Sequence, residues 1–324
     1  MLIRTFVIAL ALALGQAASA LAQDYPTKLV TIVVPFAAGG PTDTLTRNLA
    51  QSMTATLKQQ VLIDNTVGAG GTIGAAKVAK SRPDGYTLLV YHIGMATAPA
   101  LYRKLAFDPL NDFAPIGLIS DVPMTLIANE KFPPNNLKEL IAYLKANKDK
   151  VSYGNAGLGA ASHLCGLLFM SAIQTDLNTV PYKGTAPALT ALLGNEVQFV
   201  CDQTTNTIGH IQAKKVKVYG VTTRTRLKAM ADVPTLDEAG LKNFEVAVWH
   251  GLWAPKGTPK PVVDRLVSAL QTALKDPQLV ENLARLATEP VPQNRATPAA
   301  LQNHVKSEID KWGPIIKKAG IYAD

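Results

Sequence analysis

Short apolar runs alternate with segments whose apolar residues return every third or fourth position along nearly the whole 324-residue chain. That grammar predicts parallel strands covered by helices, an α/β fold. Residues 29–34 read as a buried first strand. After them Leu45, Leu49, Met53 and Leu57 recur at every fourth position, one apolar helix stripe whose start Thr42 or Asp43 can cap. Residues 61–63 predict a second strand, "GAGGTIGAAKVAK" a glycine turn entering a helix, and "PDG" at 83–85 a turn. "YTLLVYHIG" is then a third strand ending near His92.

From residue 116 to 129 the pattern changes. "IGLISDVPMTLIAN" holds two strand-like runs broken by Asp121 and Pro123, a candidate crossing between domains. Beyond it the alternation resumes: helix "NLKELIAYLKAN", strand "VSYGN", helix "SHLCGLLFMSAI", strand "LNTVPYK", helix "APALTALLG", strand "VQFVCD", helix "TTNTIGHIQAKK" and strand "VKVYGVT". A second extended run over 244–255 carries the chain back, with Trp249 and Trp253 packing that return. Helices follow, one marked by Val262, Leu266, Leu270 and Leu274. Two crossings in so long a chain predict two lobes with a cleft and hinge: residues 23–121 plus 249–324, and residues 122–248.

The first residues follow a different pattern. Arg4, an apolar core over 6–14 and small residues at 18–22 predict a signal peptide over residues 1–22, cut after Ala22. Gly15 and Gln16 interrupt the apolar stretch too early for a spanning helix. The mature chain is therefore expected outside the cytoplasm. A formal charge of +8 suits an anionic small ligand or an acidic partner surface. Nucleic acid is a poor partner for it, because the basic residues are scattered and the modest clusters at 214–217 and 224–228 read as solvated faces. Export permits a bond between Cys165 and Cys201, but apolar neighbours on both sides favour buried free thiols.

Candidate chemistry gathers at the strand-to-helix turns. Residues 36–43, 68–74, 154–163 and 183–187 are rich in Gly and small hydroxyl residues. Glycine lets the backbone approach a ligand, and the first-turn N–H groups of the following helix lack internal acceptors, so such turns cradle anions. "GAGGTIG" is no dinucleotide fingerprint: counted from Gly68, Ile73 holds the place of the last glycine and Gly74 comes one late. No Gly-Lys-Ser/Thr loop, G-x-S-x-G elbow, H-E-x-x-H or zinc-spaced Cys pair occurs, so no catalytic residue, metal site or cofactor is expected. Ser162 and His163, being adjacent on a helix, point about 100 degrees apart. His163 reads as a helix-start residue donating a hydrogen bond. Asp202 fits two readings equally, receiving a hydroxyl or amine of a ligand or capping the helix near Thr204.

"YPTKLVTIVVPFAAGGPTDTLTR", "NTVGAGGTIGAAKVAKSRPDGYTLLV", "ALYRKLAFDPLNDFAPIGLI", "VPYKGTAPALTALLG" and "VPTLDEAG" followed by "WHGLWAPKGTP" resemble, in order and from about Tyr25 onward, the Bug-type extracytoplasmic solute receptors of tripartite tricarboxylate transporters. The resemblance implies a periplasmic-binding-protein-like fold of type II, with two α/β lobes hinged around a cleft. It further implies a monomer in the periplasm that holds a small organic acid and docks on large and small integral membrane permease subunits. A sensor presenting its ligand to a membrane histidine kinase is the alternative. Carried onto this chain, the first-lobe contacts are Phe36, Ala37, Ala38, Gly39, Gly40 and Asp43, with Gly70, Gly71 and Thr72. The opposing lobe offers Asn155, Ser162, His163, Gly184, Thr185 and Asp202. His92, at the tip of its strand, looks into the cleft, and with Phe36 and Met95 nearby an aromatic acid stands beside an aliphatic mono- or dicarboxylate. Asn155 and Ala161 depart from the more serine-rich loop of the family, and Cys201 before Asp202 is a second local difference.

Overall fold

A computed structural model describes residues 25–320 together with Tyr322 and Ala323; the signal peptide expected over residues 1–22 lies outside the described residues. The chain runs β1 (Val30–Val34), α1 (Pro41–Leu57), β2 (Val61–Asn65), α2 (Thr72–Ala79), β3 (Thr87–His92), α3 (Gly94–Leu101) and the long β4 (Phe113–Asn129). It continues through α4 (Leu137–Ala146), β5 (Ser152–Asn155), α5 (Ala161–Ile173), β6 (Asn178–Pro181), α6 (Thr185–Leu193), β7 (Phe199–Gln203), α7 (Thr204–Gln212) and β8 (Val216–Val221). Last come β9 (Ala247–Pro255), α8 (Lys260–Ala273), α9 (Pro277–Arg285) and α10 (Pro298–Ala319).

The stripes read from the sequence are the buried ones. Leu45, Leu49 and Met53 of α1 are fully enclosed against the sheet, as are Leu266 and Leu270 of α8. The run of β1 is buried on both faces because helices cover both sides of it. The short α3 is an element the pattern does not announce: "GMATAPAL" is small and apolar throughout, so no polar face marks it as a helix.

Two parallel groups, β2-β1-β3 and β7-β5-β6, face each other through an antiparallel centre. There the expectation of two strand runs broken at Asp121 and Pro123 is corrected, since β4 is one continuous strand. Residues 113–123 pair with β9, while Met124–Ala128 pair with β7 and Thr125–Asn129 with β8. Pro123 falls where β4 changes partners, at the last pair with β9, so its missing N–H interrupts no ladder. Asp121 is held by an Arg295 ion pair. The changeover is packed from behind by α10, where Glu308 accepts hydrogen bonds from the indoles of Trp249 at 3.1 Å and Trp312 at 2.9 Å.

The thiol expectation is also corrected. Cys165 of α5 and Cys201 of β7 form a disulfide, because α5 packs directly on β7 and brings their Cα atoms to 6.1 Å, within bridging range. Among the described residues, no helix is long and apolar enough to cross a membrane.

Candidate functional site

Four helices, α1, α5, α6 and α7, begin at the carboxyl ends of parallel strands and aim their N-termini at one space between the two groups. Its walls carry Pro41 and Thr42 of α1, Ala161 and Ser162 of α5, Thr185 of α6 and Gln203 at the start of α7, with Phe36, His92, Ala156 and Asp202 between them. None of the four N-termini is capped by a side chain. Of the helices that start away from this space, α4, α9 and α10 are capped by Asn136, Asp276 and Thr297, while α2, α3 and α8 have no side-chain cap either. First-turn N–H groups at the site thus lack both an internal acceptor and a side-chain cap. Among the described residues, no lysine or arginine lines the space.

The two sides touch around it. Ala37 N–H donates to Lys183 O at 3.2 Å, Tyr102 Oη–H to Leu158 O at 3.1 Å and Thr97 Oγ1–H to Gly159 O at 3.2 Å. About 260 Å³ is free of protein atoms, but the centre of a water-sized sphere has only about 10 Å³ to move in. A single water needs roughly 10–15 Å³ by that measure, so a solute of several heavy atoms fits only with a slightly greater separation of the walls. Outside this inner space a mouth of about 620 Å³ opens between Gly70, Gly71, Tyr102, Leu158 and Lys183.

The residues picked from the sequence divide among several places. Phe36, His92, Ser162, Thr185 and Asp202 line the inner space, and Gly70 and Gly71 line the mouth. Ala37, Gly40 and Gly184 sit where the sides meet: a Cβ on Gly184 would lie 3.0 Å from Ala37 N, and one on Gly40 would lie 3.8 Å from Ala186 N. Ala38 and Gly39 are exposed. Thr72 bonds Ala69 O of its own turn at 2.9 Å. Neither Thr42 nor Asp43 caps α1, which starts with Pro41 after Gly40. Asp43 instead ties the glycine loop together, accepting from Gly39 N and Arg47 Nε, both at 2.8 Å, and from Asn65 Nδ2 at 3.0 Å. Burial alone would raise its carboxyl; these bonds outweigh burial and leave it below the usual range.

Across the cleft, three predicted residues fold the loop between β5 and α5. Asn155 Oδ1 accepts from Gly157 N at 2.9 Å, Ser162 Oγ from Ala156 N at 2.8 Å and His163 Nδ1 from Gly159 N at 3.2 Å. His163 therefore accepts where donation was expected, and burial holds it at about 4, a neutral ring with its proton on Nε2. His92 is neutral too, lowered by burial and by His250, with Nδ1 accepting from Gly94 N at 3.0 Å. Its ring stacks on Phe36 at 4.7 Å. Asn155 Nδ2, Gln203 Oε1 and Thr205 Oγ1 are buried without protein partners. Gln203 is a lining residue that the sequence pattern does not single out, and Thr42, within the 36–43 turn, is expected from it only as a helix cap; the signal for both is position, directly at a strand tip or on a helix start.

Asp202 is fully enclosed and its carboxyl is pushed up to about 7 by burial, against hydrogen bonds from Asn206 Nδ2, Gln203 N and Thr185. It does not cap α7; Gln203 holds that position. A carboxyl raised above its unfolded value of about 3.9 binds more protons when folded. Its ionisation therefore makes stability fall as pH rises from about 4 to about 7, and the fall is complete above that. Asp202→Asn should flatten this stretch of the melting temperature against pH; an unchanged slope would assign the decline to other groups.

The sequence profile of the tripartite tricarboxylate transporter family receptor matches residues 45–321. Among solved structures, the periplasmic binding protein BugD is 54% identical, with a TM-score of 0.90 over 92% of this chain and 99% of its own. MatC from Rhodopseudomonas palustris, solved with bound malate, is 40% identical with a TM-score of 0.87 over 90% of this chain and 100% of its own. A further R. palustris protein, solved with adipate, is 34% identical with a TM-score of 0.88 over 92% and 99%.

Proposed function

The chain belongs to the tripartite tricarboxylate transporter receptor family, and from that premise we propose that it captures a small organic carboxylate in the periplasm and delivers it to a permease with one large and one small membrane subunit. The observation that carries this reading is the meeting of four uncapped helix N-termini at a space without a cationic side chain. Each such terminus favours an anion by about 0.3–1 kcal/mol, and by up to about 2 when partly buried. Four of them supply roughly 1–4 kcal/mol when exposed and up to about 8 when partly buried as here, against about 8 for a micromolar complex. Backbone donors are therefore enough to hold an acid reversibly, and none of the bond-breaking groups of an enzyme is needed. The malate and adipate of the two R. palustris relatives support the same class, since carboxylates are what those solutes share.

Motion follows from the central strands. We place the hinge where β4 leaves β9 for β7 and β8, near residues 121–124, and where β9 begins near Ala247. On this division residues 23–121 with 249–324 form one lobe and residues 122–248 the other. An anion held first by the α1 terminus gains the α5, α6 and α7 termini only when the lobes approach, so it favours the closed arrangement by that difference. The closed surface is then what the permease reads.

Titration calorimetry against a panel of mono-, di- and aromatic carboxylates tests the reading. Saturable binding of at least one acid at micromolar or lower concentration is expected. Heats indistinguishable from dilution across the panel would overturn it.

A further inference from the structure

The inner space is not uniformly a set of donors. Around the helix termini stand Ser162, whose lone pair is taken by Ala156 N so that its own proton is free to point inward, and the neutral His92 with its proton on Nε2. The other part of the wall offers bare acceptors at Thr42 and Asp202. His250 Nδ1 lies 3.2 Å from Val248 O, which can only accept, so the ring's one proton is there and Nε2 is bare. Thr42 Oγ1, 3.2 Å from that Nε2, must then give its proton to His250 and shows lone pairs alone to the cavity. Asp202 takes three donors, from Gln203 N, Asn206 Nδ2 and Thr185, which leaves about one of its roughly four acceptor positions open. Gln203 Oε1, nine-tenths and more enclosed, has no partner among the described residues, while the same amide carries donors on Nε2.

We propose that the solute of this site carries, besides its carboxylate, a hydrogen-bond donor on its short chain, a hydroxyl or an ammonium, which is received between Asp202 of one lobe and Thr42 of the other. The proposal rests on the carboxylate reading above and names the class of acid within it. Once Asp202 is ionised, a plain carboxylate end set against these groups would place oxygen on oxygen with no proton between them, leaving buried acceptors unpaired. A donor group supplies that proton and, because Thr42 and Asp202 belong to opposite sides, its bonds form together only on closure. The titratable groups around Asp202 do not supply the missing charge. His92 from β3, His163 from α5 and His250 from β9 are all held neutral by burial, and the Tyr153 hydroxyl from β5 donates to Ser162 O. Lys183 lines the mouth and not the inner space.

The test compares matched acids by calorimetry at about pH 8.5, where the Asp202 carboxyl, at about 7, has ionised and can no longer donate. The probes are propionate, lactate and alanine; succinate, malate and aspartate; glutarate, 2-hydroxyglutarate and glutamate. Within the set of best-fitting length, a hydroxyl or amino member should bind at least about tenfold tighter than the unsubstituted acid, the scale of one hydrogen bond to a charged group. Thr42→Val and Asp202→Asn should each shrink that ratio. Whether the hydroxyl or the amino acid is favoured tells which donor is recognised. An unsubstituted acid binding as tightly as both its partners, or a ratio unchanged in both variants, overturns the proposal and leaves the carboxylate reading standing. No binding by any of the nine acids overturns both.

Discussion

Gly70→Ala should cost about a hundredfold or more in solute affinity while the chain still folds. The backbone of Gly70 is left-handed, with φ of +60°, and a Cβ built on it would lie 2.0 Å from Leu158 O and 3.0 Å from Tyr102 Oη. The first contact is with main chain of the opposite side, so no rotamer change relieves it. The clash is felt only when the lobes meet; apart, the methyl group faces the mouth. A substitution that removes the closed state lowers apparent affinity by the fraction of molecules still able to close, and a hundredfold corresponds to about 2.7 kcal/mol. The local penalty for alanine in this conformation is about 1–2 kcal/mol, enough to lower the melting temperature by only a few degrees. Calorimetry and a thermal melt on the same preparation separate the two effects. Affinity equal to that of the parent would mean that the contact between Gly70 and Leu158 is no part of the binding state.

That glycine shows how far the sequence could be read and where it stopped. The alternating runs give strands and helices because an enclosed strand needs continuous apolar residues and a covering helix needs a stripe, and both constraints are local. The stripe of Leu45, Leu49 and Met53 therefore lies against the sheet as its spacing says. The continuity of β4 is not local. It depends on β9 arriving from more than a hundred residues away, and β8 from nearly as far, to pair with its two halves, so a proline in the middle looks like an end. Glycine-rich turns were visible, but which glycine matters most depends on what stands opposite. At Gly40 a Cβ would meet Ala37 O at 3.3 Å, a tight contact that a small shift accommodates, whereas at Gly70 it meets the other lobe's main chain. The charge of Asp43 was legible and its direction was not: the carboxylate turns toward Gly39, Arg47 and Asn65, arranging the loop from behind. Helix termini gather at the site because each parallel strand is followed by its own helix, a regularity that places them at strand tips without naming the side chains between them.

Removing the disulfide by Cys165→Ala together with Cys201→Ala should have the largest effect on stability. The bond closes a loop with a sequence separation of 36, for which chain entropy predicts about 3–4 kcal/mol. At roughly 2–4 °C per kcal/mol for chains of about 150–250 residues, the melting temperature should fall by about 10 °C. Both cysteines are enclosed, so reductant should act on the folded protein slowly, and the double variant is the cleaner probe. Binding should weaken as well, for a positional reason. The bond joins α5 just beyond Ser162 to β7 just before Asp202, two lining residues on different elements. Tyr153 provides a second tie between the same two elements, donating to Ser162 O and accepting from Cys201 N at 3.3 Å. With that tie intact the site should loosen without coming apart, so the loss in affinity should be smaller than that of Gly70→Ala even though the loss in stability is greater. The reverse order, a variant that melts like the parent but no longer binds, would make the bond a contact of the solute instead of a support for the wall around it.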